Sequence, residues 1–103
     1  MNHFLYKLIP PRPTFDRDMS ATEQAVMDRH IAYWQGLVGG GTATVFGPVS
    51  DPAGAWGLAV VAAETITEVR AVGDADPAVV SGLARFEVCP MPGAIVAQAQ
   101  AAA

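Results

Sequence analysis

Cysteine is almost absent. Cys89 is the only one in 103 residues, so neither an intrachain disulfide nor a thiolate metal site can form. A lone thiol suits the reducing cytoplasm, where disulfides are rare. Charge is scarce too. Asp, Glu, Lys and Arg make up 16% of the chain, against about a quarter in an ordinary globular protein. The six Lys and Arg residues are scattered singly and the net charge is −4. No basic patch exists to neutralise phosphates, so nucleic-acid binding is disfavoured. No apolar run is long enough to cross a bilayer, and no membrane span is expected. Met1–Lys7 has a short apolar run with neither a basic head nor a small-residue cleavage site, so it does not read as a signal peptide.

Several chemistries lack their parts as well. Histidine occurs twice, at His3 and His30. With Asp76 these donors show no paired-ligand spacing, so a metal is not expected. Haem would need a larger apolar cavity than so short a chain allows, and no cofactor is expected at all. Gly39-Gly40-Gly41 is not followed by Gly-Lys-Ser/Thr, so it reads as a helix terminator and not as a phosphate loop. Ser81 has no second histidine nearby in sequence to activate it, which argues against a serine triad. Arg70 stands alone on a short helix and reads as solvated.

What is abundant is apolar. Hydrophobic residues reach 51%, which is more than a single domain of this size needs to hide. Residues 1–93 read as that domain and 94–103 as an alanine-rich tail with the look of a frayed helix. The surplus apolar surface points to a subunit interface, and a homodimer is the simplest assembly. Association beyond the dimer stays open.

Along the chain, His3–Ile9 reads as a strand that is apolar on both faces, ended by Pro10, Pro11 and Pro13. Arg12–Met19 reads as a polar loop. Ser20-Ala21-Thr22-Glu23 fits a capping box that opens a helix running to about Val38. Thr42–Val49 is a second strand, and Pro48 places it at an edge or bulge. Ser50–Gly54 is a hairpin turn, and Trp56–Ala63 is a third strand, again apolar on both faces. Thr65–Glu68 offers a second capping box for a short helix to about Val72. Ala78–Gly82 forms one more turn, and Leu83–Cys89 is a fourth strand, with Ala84, Phe86 and Val88 alternating against Arg85, Glu87 and Cys89. The order β-α-β-β-α-β is ferredoxin-like, α+β with a four-stranded antiparallel sheet whose first and third strands are central. Helices can cover only one face of such a sheet. The other, apolar at its centre, calls for a second sheet, supplied by another copy of the chain.

The first helix carries the feature of most chemical interest. Val26, Met27, His30, Tyr33, Trp34 and Leu37 recur every three or four residues and share one face. His30 therefore points inward, either as a core residue with a satisfied hydrogen bond or as the centre of a small site. His3, near the start of a strand, reads as a partly exposed end residue.

With these elements in place the chain resembles the YciI-like (YCII-related) family of small bacterial proteins. Arg29-His30 with Tyr33-Trp34, Phe46-Gly47-Pro48, Asp76-Pro77 and Phe86-Glu87-Val88-Cys89-Pro90 carry the resemblance, in order and over nearly the whole chain. The resemblance implies a dimeric α+β barrel, with two ferredoxin-like sheets packed face to face. It also implies a histidine–aspartate pair in a pocket between sheet and helices, which by position falls on His30 and Asp76. A carboxylate on one ring nitrogen would fix the tautomer and leave the other to move a proton. The implied chemistry is cofactor-independent acid/base proton transfer of isomerase or lyase type, dehydrochlorination included, on a small cyclic or aromatic oxygenated compound. Tyr33, Trp34, Phe46, Gly47 and Pro48 are the residues this resemblance places near a substrate.

Two stretches depart from the family pattern. The Pro10–Met19 loop is longer and crowded with prolines, and Ala78 stands where an aromatic is common. Substrate preference is thus not carried over. Asp76 also has an ordinary reading, since Asp-Pro starts turns and caps helices, as Asp51-Pro52 does elsewhere. Two functions stay in play. One is an enzyme built on His30 and Asp76. The other is a non-catalytic homodimer that binds a small molecule or regulates a partner.

Overall fold

The computed structural model describes residues 1–97. The apolar alternation of the first strand sets the centre of the molecule. β1 (Asn2–Ile9) points Phe4, Tyr6 and Leu8 into the core, all three nearly inaccessible to solvent. It pairs antiparallel on one side with β3 (Trp56–Ala63) and on the other with β4 (Arg85–Pro90). β2 (Ala43–Val49) adds to the outer edge of β3, giving the strand order β2-β3-β1-β4. The sheet is antiparallel throughout, and β1 and β3 are its central strands, as the ferredoxin-like order requires. Pro48 lies on the edge strand, where its missing N–H interrupts no central ladder. A bulge between Ala43 and Val45 turns Val45 to the face away from the helices.

The long helix α2 (Ala21–Gly39) covers the inner face. Its start is a complete capping box: Glu23 N–H donates to Ser20 Oγ at 3.1 Å, and Ser20 N–H donates to Glu23 Oε1 at 2.9 Å. Val26, His30 and Trp34 are buried along its stripe, with Met27, Tyr33 and Leu37 half-buried beside them. After β3 comes α3 (Ile66–Asp74). Here only half of the expected box forms. Glu68 N–H donates to Thr65 Oγ1 at 3.3 Å, but the Glu68 carboxylate accepts from the Glu64 N–H, one residue earlier. The extra turn is α4 (Pro77–Val80), capped by Asp76. One element escapes the sequence pattern: Phe15–Asp18 forms a single helical turn, α1, inside what reads as a polar loop. The signal was Phe15, an aromatic among charges, which is buried. Residues 94–97 are neither helix nor strand, and the rest of the alanine-rich tail lies outside the described residues.

Trp34 sits at the centre of the inner layer, fully buried, with Tyr6 at 4.7 Å and Phe46 stacked on it at 5.7 Å between ring centroids. Phe86 extends the stack beyond Tyr6 at 5.2 Å. This arrangement explains Gly73 in α3. A Cβ there would lie 2.5 Å from two ring atoms of Phe86, so that ring would have to shift out of its stack on Tyr6. Gly73→Ala is expected to lower unfolding stability by about 1–3 kcal/mol, overpacking outweighing the better helix propensity of alanine. Urea unfolding followed by circular dichroism checks this, and a stabilised variant would refute it.

Candidate active site

Asp76 is the hub of the inner layer. It is wholly inaccessible to solvent and yet charged, because donors surround both carboxylate oxygens. Oδ1 accepts from the Ala78 N–H at 2.9 Å, and Oδ2 accepts from Trp34 Nε1 at 2.8 Å and from the Tyr6 hydroxyl at 3.0 Å. His30 Nδ1 lies 2.8 and 2.9 Å from the two oxygens. The strand β1, the helix α2 and the start of α4 thus each send a donor to one carboxylate. Burial pushes the Asp76 carboxyl up, but the hydrogen bonds from His30, Trp34 and the Ala78 N–H outweigh it, leaving the group below the ordinary carboxylate range. Tyr6 moves the opposite way. Burial and the neighbouring Asp76 charge push its phenol far above its usual range, so it stays a neutral donor.

An ionised Asp76 has no proton to give, so the short contacts require Nδ1 of His30 to carry the hydrogen. In the neutral imidazole, Nε2 then holds the free lone pair. Every buried side-chain nitrogen and oxygen among the described residues has a hydrogen-bond partner. Nε2 has none, so it is not sealed in. His30 lines the cavity, and Nε2 is its one ring nitrogen left uncommitted among the described residues.

That cavity has a volume of about 490 Å³, within the range of small-molecule sites. His30 and Phe46 line it together, with the two rings edge to face at 5.4 Å. Gly47, Pro48, Trp56 and Gly57 form the wall from β2 and β3, and Met27 and Ile31 the wall from α2. Trp56 is fixed from outside, since its indole N–H donates to Asp51 Oδ2 at 3.1 Å. The bond to Asp51 and another from the Ala53 N–H hold that carboxyl below its usual range.

Of the residues singled out from the sequence, His30, Phe46, Gly47 and Pro48 line the cavity and Asp76 stands directly behind His30. Tyr33 and Trp34 do not line it. Trp34 is fully buried with its N–H committed to Asp76, and the Tyr33 hydroxyl donates to the Val72 carbonyl at 2.7 Å. The substrate contact expected of these two gives way to support from behind, because the α2 stripe turns them toward α3 and α4. Tyr6 went unnoticed although it left a signal. A hydroxyl on an otherwise apolar inward strand face must find a buried acceptor. Asp76 also needs no choice between its two readings, since the same carboxylate caps α4 and holds His30. Among the described residues no three His, Cys, Asp or Glu side chains are grouped as metal ligands would be.

The sequence model of the YCII-related domain matches residues 7–92. The chain belongs to the YCII-related family. Among solved structures it is similar to the 5-chloro-2-hydroxyhydroquinone dehydrochlorinase from Burkholderia phenoliruptrix AC1100, in complex with 2,5-dihydroxybenzoquinone. The TM-score is 0.61 at 19% identity, over 84% of this chain and 89% of that one. At this identity the likeness carries the fold, and it places the YCII-related chain on the same ferredoxin-like frame. No curated protein sequence matches the chain. No helix among the described residues is long and apolar enough to cross a membrane.

The charge states set the pH range of the fold. Asp76 is held below its ordinary value, so its contribution is present above about pH 4 and is lost as pH falls through its folded pKa. Tyr6 is pushed up, so its contribution is complete below about pH 10 and is lost above it, where the unfolded chain ionises and the folded one does not. Stability measured by urea unfolding is expected to stay level between these limits as far as this pair is concerned. Tyr6→Phe should remove much of the alkaline fall, and an unchanged fall would refute the assignment.

Proposed function

We propose that this protein is a cofactor-independent acid/base enzyme in which His30, oriented by Asp76, moves a proton on a small cyclic or aromatic oxygenated compound. A cavity-lining His30 whose Nδ1 is held by Asp76 and whose Nε2 is uncommitted carries this reading. Asp76 fixes the tautomer and stabilises the imidazolium that forms when Nε2 takes a proton. Phe46, Gly47 and Pro48 shape the adjoining wall, with Gly47 letting a flat ring lie close to the backbone. The reaction class is isomerase- or lyase-like. Loss of HCl from a chlorinated hydroxyhydroquinone belongs to it, because a proton and chloride leave the ring system together and the quinone forms without an external oxidant. The solved relative bears the name of that activity, which makes its named substrate the first compound to try.

The reading includes a homodimer. On the sheet face away from the helices, Leu5, Leu58 and Val60 are only half-buried, and Val45 is 48% exposed. Val45, Val60 and Leu5 lie side by side in register, with Leu58 two residues along β3 from Val60, an apolar strip suited to a second sheet. The free Cys89 fits a reducing compartment, and we place the protein in the cytoplasm.

The test is turnover of 5-chloro-2-hydroxyhydroquinone, read as chloride release, beside exchange of ring protons with deuterated solvent for a panel of hydroxylated rings. Native protein is expected to accelerate at least one and His30→Gln none. A native protein no faster than buffer on every ring would refute catalysis. A His30→Gln variant that still binds those rings would then leave a binding protein.

A further inference from the structure

One wall of the cavity comes from the segment between β1 and α2. Pro10, Phe15, Asp16 and Met19 all line it. The segment is fixed and not a loose flap. Phe15 is buried beneath it, and Arg12 straps it to the start of α2. The Arg12 guanidinium donates to Asp18 Oδ1 at 2.7 Å and to the two Glu23 oxygens at 2.7 and 2.9 Å. Thr14 adds a hydroxyl bond to Asp18. Arg12 is thereby saturated with carboxylates, and its bond, with that of the Ser20 N–H, brings Glu23 down to about 2. Two other cations stand nearby and neither is part of the lining: Lys7 sits over the Trp56 ring at 4.8 Å, and Arg17 follows Asp16 in the α1 turn.

The consequence is an unusual balance of charge. No Lys or Arg lines the cavity. Its polar lining consists of His30, Gln24 and Asp16, and the Gln24 amide is tied to Asp28 at 3.0 Å. The Asp16 carboxylate has neither an ion pair nor a hydrogen bond among the described residues. Asp16 is exposed to solvent and no Lys or Arg belongs to the apolar lining, so its carboxylate disfavours an anion entering the cavity, whereas a neutral ring loses nothing. We propose that Asp16 is a specificity residue that makes the cavity select neutral rings and reject carboxylated ones of the same shape. This rests on the reading of the cavity as a ring-binding site, and it narrows the substrate class to uncharged hydroxylated or keto rings.

The probes are 2,5-dihydroxybenzamide and 2,5-dihydroxybenzoate, alike in shape and different in charge. Their binding to native protein, Asp16→Asn and Asp16→Lys is measured by isothermal titration calorimetry. Asp16 is exposed, so both variants should fold, and near-ultraviolet circular dichroism checks that they do. Native protein is expected to bind the amide about tenfold more tightly. Asp16→Asn should narrow the gap about fivefold, Asp16→Lys should favour the benzoate, and added salt should narrow the native gap. A gap unchanged in both variants, a native preference for the benzoate, or binding of neither ring overturns the proposal. Binding requires no turnover, so the two readings can fail separately. Charge selection without catalysis sinks only proton transfer, and His30-dependent catalysis with charge-blind binding sinks only the role of Asp16.

Discussion

Asp76→Ala is expected to cost about 5 kcal/mol of folding stability, enough to unfold most domains of this size. The carboxylate is wholly buried and receives the Tyr6 hydroxyl, Trp34 Nε1, His30 Nδ1 and the Ala78 N–H. Removing it strands these donors at about 1–3 kcal/mol each, less what entering water recovers. It also removes the cap of α4, at about 1 kcal/mol. Asparagine should be little better. Both oxygens accept from donors, so the Nδ2 of an asparagine would confront either the Ala78 N–H or the indole N–H of Trp34. Only an anion satisfies both sides. Chemical unfolding of Asp76→Ala and Asp76→Asn checks this, and a loss below about 1 kcal/mol in either would show that the donors find partners without it.

On the proposed acid/base role, His30→Gln is expected to lower turnover by about 10²–10⁴-fold, the usual worth of a positioned acid/base group, with stability reduced by no more than about 1 kcal/mol. The reason lies in the two sides of the ring. Toward Asp76 the imidazole offers an N–H, and a glutamine amide can offer another. Toward the cavity it offers a basic ring nitrogen that can accept a proton, which an amide lacks. The variant therefore separates chemistry from structure, as Asp76→Ala cannot. Turnover within about threefold of native would remove His30 from the mechanism.

Much of this was legible in the chain. The period of three and four through Val26, His30 and Trp34 turned His30 inward, and the doubly apolar β1 and β3 located the centre of the sheet. Asp76 was legible as a cap from Asp-Pro and as a partner of His30 from family resemblance. Spacing alone could not join the two, since the contact spans 46 positions of sequence. Trp34 and Tyr33 were read one shell too far forward. Periodicity gives the buried side of a helix but not which buried residue reaches the surface of a cavity. The α1 turn was missed because its stabilising contacts, Phe15 in the core and Arg12 on Asp18 and Glu23, are tertiary and outweigh a polar local composition.

The ligation of Asp76 by three separate elements bears on how the site opens and closes. A catalytic histidine held from a mobile loop can lose its partner through small, frequent excursions that leave the rest of the fold intact. Here β1, α2 and the start of α4 would all have to part before His30 was released. The amide hydrogens of Ala78 and of the His30 turn should therefore exchange with solvent only when the whole domain opens. Damage to the packing anywhere in the inner layer would then break the His30–Asp76 pair in direct proportion to the unfolded fraction, without passing through a folded state in which the pair is lost.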